Sequence, residues 1–239
     1  MLCFLALALV AAGCKSRADT RAIHEQKPGE ESRRTVQPVA QPPNTASAQQ
    51  SPLLNPEKAS ATAPGTYTVR LETTKGDIDI EVHRDWAPRG ADRFYNLVKI
   101  GYFNDVAFFR VIDGFMAQTG LHGNPEVNQA WSRQSIIDDP VSESNTRGRV
   151  SFATSGKDSR GTQFFVNFGD NSRLDQMGFA PFGEVRDMKA VDALYSGYGE
   201  SAPRGNGPSQ MHIRLKGNDY LRANFPDLDY IKRAIILSQ

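Results

Sequence analysis

The first clear pattern in the chain is a strict alternation of apolar and polar residues that begins at Tyr67. Apolar residues alternate with charged or polar ones on both sides of the short sequence Thr74-Lys75-Gly76. A period of two residues is typical of a strand with one buried face, and a short turn containing glycine commonly joins two such strands. The pattern therefore predicts an antiparallel hairpin whose inner face carries Val69, Leu71, Ile78, Ile80 and Val82.

The sequence APRGADRFYNLVKIG, which follows the hairpin, has helical spacing. Pro88 suits the first turn of a helix, and Phe94, Leu97 and Val98 lie on one face. Gly90 within this helix costs about 1 kcal/mol relative to alanine. The periodicity nevertheless predicts a helix here.

Two more helices are predicted in the C-terminal part of the chain. Apolar residues at three-residue spacing indicate one at 187–196, and a second is predicted at 218–228, where Pro226 ends it. A loop rich in glycine and proline, 199–208, separates them. Together the loop and the second of these helices form a C-terminal helical insertion at 199–229.

The remaining apolar segments are short and are separated by Gly, Asp and Ser. They are VAFFRVI, FMAQTG, GRVSFATSG, TQFFVNFG, APFGEV and YIKRAIIL. Their length and their β-branched and aromatic residues predict strands. A closed barrel removes exposed strand edges, so a mainly β domain with a closed antiparallel barrel is predicted for 66–239.

The N-terminal part of the chain has a different composition. Residues 1–13 are apolar, too short to span a bilayer, and end in small residues, which predicts an export signal. Residues 15–65 contain no Phe, Trp or Tyr but seven of the fourteen prolines. Such a segment buries too little apolar surface to offset its ordering entropy, so 14–65 is predicted to be a disordered tether.

The sequence VAAGC, which ends at Cys14, resembles the lipobox of bacterial lipoproteins. The resemblance implies that the signal is removed and that acyl chains on Cys14 anchor the protein to a membrane. Several acyl chains on one residue give stable anchoring, which one chain does not. The expected location is the exported side of a bacterial cell envelope, periplasmic or extracellular. The alternative is an ordinary cleaved signal with an incidental Cys14.

Charge and cysteine content exclude several classes of function. The 28 basic and 27 acidic residues nearly cancel, so no basic footprint for nucleic acid is evident. Cys3 and Cys14 are the two cysteines, which leaves none in the globular part. The four histidines lack the spacing of a metal site, so no metal is predicted. Asp113, Asp138 and Asp139 are interpreted as turn and loop residues.

The candidate chemistry is concentrated in two segments, FFRVIDGFMAQTG (108–120) and RGTQFFVNFG (160–169). Neither contains a nucleophile motif or a phosphate-binding loop. The first segment sets a cation, Arg110, in the middle of an apolar run, and the two segments add Gln118 and Gln163 as polar groups. Alternation alone would turn Arg110 outward to solvent, as a structural surface residue.

These two segments, together with LDQMGFAPFGEV and the hairpin sequence TTKGDIDIEV, resemble the cyclophilin family of peptidyl-prolyl cis-trans isomerases. The motifs are collinear from about residue 67 to about residue 198. The resemblance implies an eight-stranded antiparallel barrel capped by two helices, and an enzyme that needs no cofactor. Its expected partners are proline-containing polypeptide segments, and the chain is expected to be a monomer.

The resemblance also implies roles for individual residues. Arg110 corresponds to the catalytic arginine, and Gln118 and Gln163 to groups that hold the substrate backbone. Thr154 departs from the family, because it follows Ala153 where the family has an Ala-Asn pair. Arg173 stands where many eukaryotic members have tryptophan. The proline ring would be held by Phe115, Met116, Phe165, Leu174 and Phe179.

The predicted function is acceleration of Xaa-Pro bond rotation in unfolded or folding envelope proteins. Arg110 would donate a hydrogen bond to the prolyl nitrogen of the twisted amide. A weakly active or inactive barrel of the same family, used as a chaperone or scaffold, is the alternative. An unrelated small-ligand barrel is a third possibility.

Overall fold

The computed structural model describes residues 51–238, and its centre is one curled antiparallel sheet of nine strands. The strands are β1 (Thr66–Thr73), β2 (Gly76–His83), β3 (Val106–Ala107), β4 (Arg110–Ile112), β5 (Met116–Thr119), β6 (Arg149–Phe152), β7 (Phe164–Asn167), β8 (Pro181–Val185) and β9 (Tyr230–Ser238). Their order across the sheet is β3-β9-β1-β2-β8-β6-β7-β5-β4. The mainly β prediction is confirmed.

Four α-helices accompany the sheet in this part of the chain. They are α1 (Pro88–Lys99), α2 (Pro125–Trp131), α3 (Lys189–Asp192) and α4 (Gln210–Asn224), and 3-10 helices lie at Pro52–Leu54, Pro56–Lys58 and Ser172–Met177. Among these described helices, none combines the length and the apolar character needed to cross a bilayer.

The predicted hairpin is present with the expected buried face. Strands β1 and β2 pair so that Val69 lies opposite Ile80 and Leu71 opposite Ile78, and all four side chains are fully buried. Gly76 has a φ of +117°, which side chains with a Cβ rarely adopt. The period of two therefore determined both the register and the inner face.

The ends of the sheet differ from the closed eight-stranded prediction. Strand β3 pairs with β9 and β4 pairs with β5, and within residues 51–238 no ladder joins β3 to β4. Only Phe108 and Phe109 separate β3 from β4 in the sequence. The chain therefore connects the two edge strands of the sheet, β3 and β4, covalently. The closed barrel predicted a row of backbone hydrogen bonds between its edge strands instead.

Helix α1 packs on the core through aromatic contacts. The Phe94 ring lies 5.5 Å from that of Phe103, 5.3 Å from that of Phe164 and 5.1 Å from that of Phe182, measured between centroids. Tilted and edge-on aromatic pairs at this separation add stabilisation beyond the buried area. The helical face predicted from the sequence is thus the face that contacts the barrel interior.

The start of α1 packs directly on a buried loop. The Gly90 N–H donates to Asp139 Oδ2 at 2.9 Å, and Asp139 and Arg160 are themselves buried. A Cβ at Gly90 would stand 3.4 Å from Arg160 Nη1, which is ordinary van der Waals contact. Asp139 thus has a role beyond the loop residue predicted.

The helix predicted at 187–196 is mostly wrong. Only the single turn α3 forms, although Met188, Val191 and Leu194 are buried as the spacing indicated. The chain leaves helical geometry because the Tyr195 N–H donates to Asp229 Oδ2 at 2.8 Å. A tertiary contact thus ends the helix.

Two other helices also differ from the prediction. Helix α4 begins at Gln210 instead of residue 218, and its chain is kinked at Gly217, where a Cβ would collide with the Gly123 carbonyl oxygen. Helix α2 was not predicted, although Asn124 caps it by accepting a hydrogen bond from the Glu126 N–H at 2.8 Å. An Asn-Pro-Glu start is a recognisable helix signal.

Residues 51–65, predicted as the last part of a disordered tether, are packed on the domain. Trp131 Nε1 donates to the Leu53 carbonyl at 2.9 Å, and the Ala63 N–H donates to Asp92 Oδ1 at 2.8 Å. Polar side chains of the domain thus satisfy the backbone of this segment, which its composition does not reveal. The predicted signal, Cys14 and the rest of the tether lie outside the described residues.

Candidate active site

The site lies on the face of the sheet opposite the main core. Strands β4 and β5 pair so that Arg110 lies opposite Gln118 and Ile112 opposite Met116, and β7 places Phe165 opposite Gln118. Because side chains alternate along strands, these residues share one face. The intervening residues Val111, Ala117 and Val166 belong to the main core.

An apolar cluster separate from the main core covers part of this face. We call it the apolar cup; it consists of Ile112, Phe115, Met116, Ala153, Phe165, Leu174 and Phe179. The structure therefore brings together every apolar residue that the sequence assigned to a ring-binding pocket. Ile112 was not predicted, although it follows Arg110 at a spacing of two on the same strand. Phe164 packs in the main core, on the face of β7 opposite Phe165.

Hydrogen bonds fix the loops that carry the cup. Asn171 Nδ2 donates to the Phe115 carbonyl at 2.7 Å, and Asn145 Nδ2 donates to the Phe179 carbonyl at 2.8 Å. Asp175, next to Leu174, accepts hydrogen bonds from the Ser144 hydroxyl and from Asn145. The cup is therefore held by a polar network behind it, as a preformed binding site requires.

Arg110 lies at the edge of the cup and is half-buried. Its Nη1 donates to Gln118 Oε1 at 2.9 Å and lies 3.9 Å from the Met116 sulfur. Gln118 Nε2 in turn donates to Gln163 Oε1 at 3.0 Å. The three polar residues predicted for the site thus form one continuous hydrogen-bonded row.

Glu200, which the sequence did not single out, also contacts this arginine. Its Oε1 accepts from Arg110 Nε and its Oε2 accepts from Nη2, both at 2.7 Å. These hydrogen bonds hold the pKa of Glu200 below its ordinary value. No local pattern could have revealed the pair, because 90 residues separate its members.

Thr154 directs its hydroxyl into its own loop. The Thr154 Oγ1 contacts the Gly156 carbonyl oxygen, and it lies 2.8 Å from Ser159 Oγ. The hydroxyl therefore has partners without any substrate, and it organises the loop next to Ala153. Arg173 places its guanidinium carbon 5.0 Å from the centroid of the Phe115 ring, on the rim of the cup.

A cavity of about 610 Å³ adjoins Gln118 and Gln163. Its sheet side includes Gln118, Gln163 and the Ala153-Thr154 pair, and its other side is formed by Arg204, Gln210 and Arg214. Among the described residues that line it, the two arginines are the charged ones. The C-terminal insertion, to which the sequence assigned no role, thus forms one wall of the cavity.

One group of possible metal ligands lies elsewhere in the described residues, at Glu81, His83 and Glu184. Arg149 donates to Glu184 at 2.7 Å, and Arg186 donates to Glu81 at 2.9 Å. Each carboxylate is thus already bonded to an arginine. This arrangement fits a salt-bridge network between β2 and β8 better than a cation site.

The geometry supports one kind of chemistry. The cup is suited to a small apolar ring, and the Arg110 guanidinium is fixed at its edge by its contacts with Gln118 and Met116. Within residues 51–238, no cysteine or nucleophile–base pair adjoins the cup. The site is thus suited to stabilising a change of shape or charge in a bound group, without a covalent intermediate.

Comparison with known proteins gives a consistent result. The family described as "Cyclophilin type peptidyl-prolyl cis-trans isomerase/CLD" matches residues 68–213. A human protein, "Peptidyl-prolyl cis-trans isomerase-like 3", is 37% identical over 133 residues, which are 53% of this chain and 81% of that protein. A "Peptidyl-prolyl cis-trans isomerase" of Acinetobacter baylyi is 35% identical over 141 residues, 56% of this chain and 75% of that protein.

Solved structures agree at the level of the fold. A cyclophilin type peptidyl-prolyl cis-trans isomerase of Cryptosporidium parvum superposes with a TM-score of 0.53 at 21% sequence identity. The match covers 73% of this chain and 99% of that one. A second structure of that protein, determined in the presence of the dipeptide Ala-Pro, gives a TM-score of 0.52.

Proposed function

Because the chain belongs to the cyclophilin family and is a peptidyl-prolyl cis-trans isomerase, we propose that Arg110 is its catalytic residue and that the apolar cup holds the substrate proline. The observation that carries this proposal is the position of the guanidinium. Its Nη1 lies beside Met116 and Gln118 at the edge of a preformed apolar cluster.

The reaction requires rotation about an amide bond. An Xaa-Pro bond prefers trans by only about 0.5–1 kcal/mol, but the barrier to rotation is roughly 20 kcal/mol, since the twisted amide loses its resonance. Twisting localises a lone pair on the prolyl nitrogen. A hydrogen bond from Arg110 to that nitrogen is available only in the twisted state, so it lowers the barrier selectively.

The other residues restrict the motion to this one bond. Phe115, Met116 and Phe165 would hold the proline ring by apolar contact. Gln118 and Gln163 would bind the backbone before the proline, with Ala153 and Thr154 beside them. Leu174 and Phe179 complete the ring site on the side of the 3-10 helix.

The test is the isomerisation rate of a short peptide containing one Xaa-Pro bond. We expect Arg110→Ala to lower kcat/KM by roughly 100-fold or more, since one transition-state donor is commonly worth that much. Arg233→Ala is the matched control, because Arg233 also makes a bidentate pair, with Glu72 on the barrel surface far along the sheet. It should keep the wild-type rate.

Equal rates for wild type and Arg110→Ala, with both proteins folded, would refute the catalytic role. If the wild-type protein itself gave no acceleration but bound proline-containing chains, the alternative of a chaperone or scaffold would replace the enzymatic proposal.

The cellular context is a separate part of the proposal. The signal-like segment 1–13 and the lipobox-like sequence before Cys14 support a lipid-anchored protein on the exported side of a bacterial envelope. Its substrates there would be unfolded or folding envelope proteins. We expect incorporation of labelled fatty acid in wild type and in Cys3→Ser, and none in Cys14→Ser. Labelling that persists in Cys14→Ser would contradict the anchor.

A further inference from the structure

We propose that Glu200 is a positioning residue, which holds the guanidinium of Arg110 in the orientation needed for catalysis. The inference rests on the proposed catalytic role of Arg110. It assigns the C-terminal insertion a part in the reaction, beyond what the barrel itself supplies.

The first argument is which side of the guanidinium each partner uses. Arginine has five N–H donors in a fixed planar arrangement. Glu200 accepts from Nε and Nη2, whereas Gln118 and the Met116 sulfur lie at Nη1. The carboxylate therefore binds a different side from the one beside the apolar cup. It can hold Arg110 without occupying the side that faces the substrate.

The second argument is that the insertion leaves the ring site free. The members of the apolar cup all lie between Ile112 and Phe179 in the sequence. Among the described residues of the insertion, none packs in this cluster. An inhibitory segment would be expected to fill the cup, so the geometry favours positioning over blockage.

The third argument is that Glu200 is itself rigidly placed. Its Oε1 accepts from the Ser201 N–H at 2.9 Å, and its carbonyl accepts from the Gly207 N–H at 2.8 Å. A Cβ on Gly205 would lie 2.3 Å from the Glu200 carbonyl oxygen, and one on Gly207 would lie 2.8 Å from it. The tight loop around Glu200 therefore depends on glycines at both positions.

Preorganisation explains why a fixed orientation of the Arg110 guanidinium matters for the reaction rate. A free arginine side chain carries about 2 kcal/mol of rotamer entropy, and a bidentate carboxylate fixes both its position and its plane. Donors fixed before the reaction need no reorganisation as charge develops on the substrate. Removing Glu200 should thus reduce kcat much more than it changes KM.

The experiment measures kcat and KM for Glu200→Ala and for the nearly isosteric Glu200→Gln. We expect a roughly tenfold lower kcat in Glu200→Ala, a smaller loss in Glu200→Gln, and KM within about twofold of wild type. Glu72→Ala is the matched control, since it removes a carboxylate from a bidentate pair with Arg233. It should leave both constants unchanged.

A double-mutant cycle separates positioning from an independent effect. In the Arg110→Ala background, Glu200→Ala should cause no further loss of kcat, because no guanidinium remains to be positioned. Gly207→Ala is a second test of positioning, since it disturbs the loop that carries Glu200 without changing the charge of that loop. We expect it to lower kcat as well.

Three results would overturn the inference while leaving the role of Arg110 intact. They are an increase in kcat on removing Glu200, an unchanged kcat, and an equal further loss in the Arg110→Ala background. A lowered unfolding midpoint with normal kcat in the folded fraction would likewise indicate a structural salt bridge only. Wild-type activity in Arg110→Ala would instead refute both proposals together.

Discussion

Two arginines of this domain lie among apolar residues, and their surroundings differ in an informative way. Arg160 is only 1% exposed, and its guanidinium lies 3.0 Å from Asp139 and 3.2 Å from Asp138, with a further hydrogen bond to the Ile137 carbonyl. The side chain of Arg110 is 16% exposed, and one side of its guanidinium lies beside the apolar cup.

The difference distinguishes a structural cation from the cation for which we propose a catalytic role. The partners of Arg160 also bind the start of α1, because Asp139 accepts from the N–H groups of Arg89 and Gly90. That group of bonds links a loop to a helix. Arg110 instead has Glu200 on one side of its guanidinium and the apolar cup on the other. Arg160 thus makes its bonds within the fold, whereas the proposed role of Arg110 depends on the side beside the cup.

The largest expected effect is on stability. We expect Arg160→Ala to lower the free energy of unfolding by about 3–5 kcal/mol, because the buried Asp139 would lose its buried cation and keep only the exposed Arg89, 3.5 Å away. The exposed pair of Arg70 with Asp79 serves as a control, and Arg70→Ala should cause a much smaller loss, because solvent screens that pair. Urea denaturation followed by fluorescence measures both. A small loss in Arg160→Ala would contradict the structural role.

The next effect concerns the hydrogen-bonded row of Arg110, Gln118 and Gln163. Gln118→Leu removes the acceptor of Arg110 Nη1 and the donor to Gln163, so we expect a roughly tenfold loss of kcat/KM with near-normal stability. Gln129→Leu, an exposed position on α2, is the control. Wild-type activity in Gln118→Leu would show that Arg110 needs only Glu200.

Thr154 should matter less, although it departs from the family pattern. Its hydroxyl is bonded within its own loop, so Thr154→Val should change kcat/KM by less than about threefold, or roughly 0.7 kcal/mol. The peptide isomerisation assay measures this directly. A much larger loss would mean that the hydroxyl contacts the substrate.

The smallest effect is the pH dependence of stability due to Glu200. Because Arg110 holds the pKa of this carboxyl below its ordinary value, the stabilisation is fully present above that ordinary value. It is lost as the pH falls through the lowered pKa. The difference in unfolding free energy between wild type and Glu200→Gln should be about 1 kcal/mol at neutral pH and should vanish in acid. A difference that persists in acid would contradict this.

The barrel and the cup were predictable to a large extent because their signals are local. Alternation places Phe164 and Phe165 on opposite faces and Arg110 on the outer face of its strand, and the family resemblance assigns Phe165 to the ring site. The expectation that this outer face meets only solvent was incomplete. The 3-10 helix that carries Leu174 covers one part of it, and the loop that carries Glu200 covers another.

The errors arose where distant parts of the chain meet. The helix predicted at 187–196 ends early at the contact of Tyr195 with Asp229. The segment 51–65 is ordered by hydrogen bonds to α1 and α2. Helix α2 is different, since its Asn124-Pro125 start is a local signal that the sequence itself carries.

The sequence by itself determined the strand periodicity, the inner face of the hairpin, the apolar residues of the cup and the resemblance to the cyclophilin family. The periodicity and the inner face follow from side-chain order along single segments, where neighbouring residues alternate in direction. The residues of the cup, apart from Ile112, follow from the resemblance. Only the tertiary structure decided that Arg110 is held by Glu200 and that the insertion forms a wall of the adjoining cavity. Such contacts depend on how the chain returns to the sheet after 90 residues, and no local pattern encodes that path.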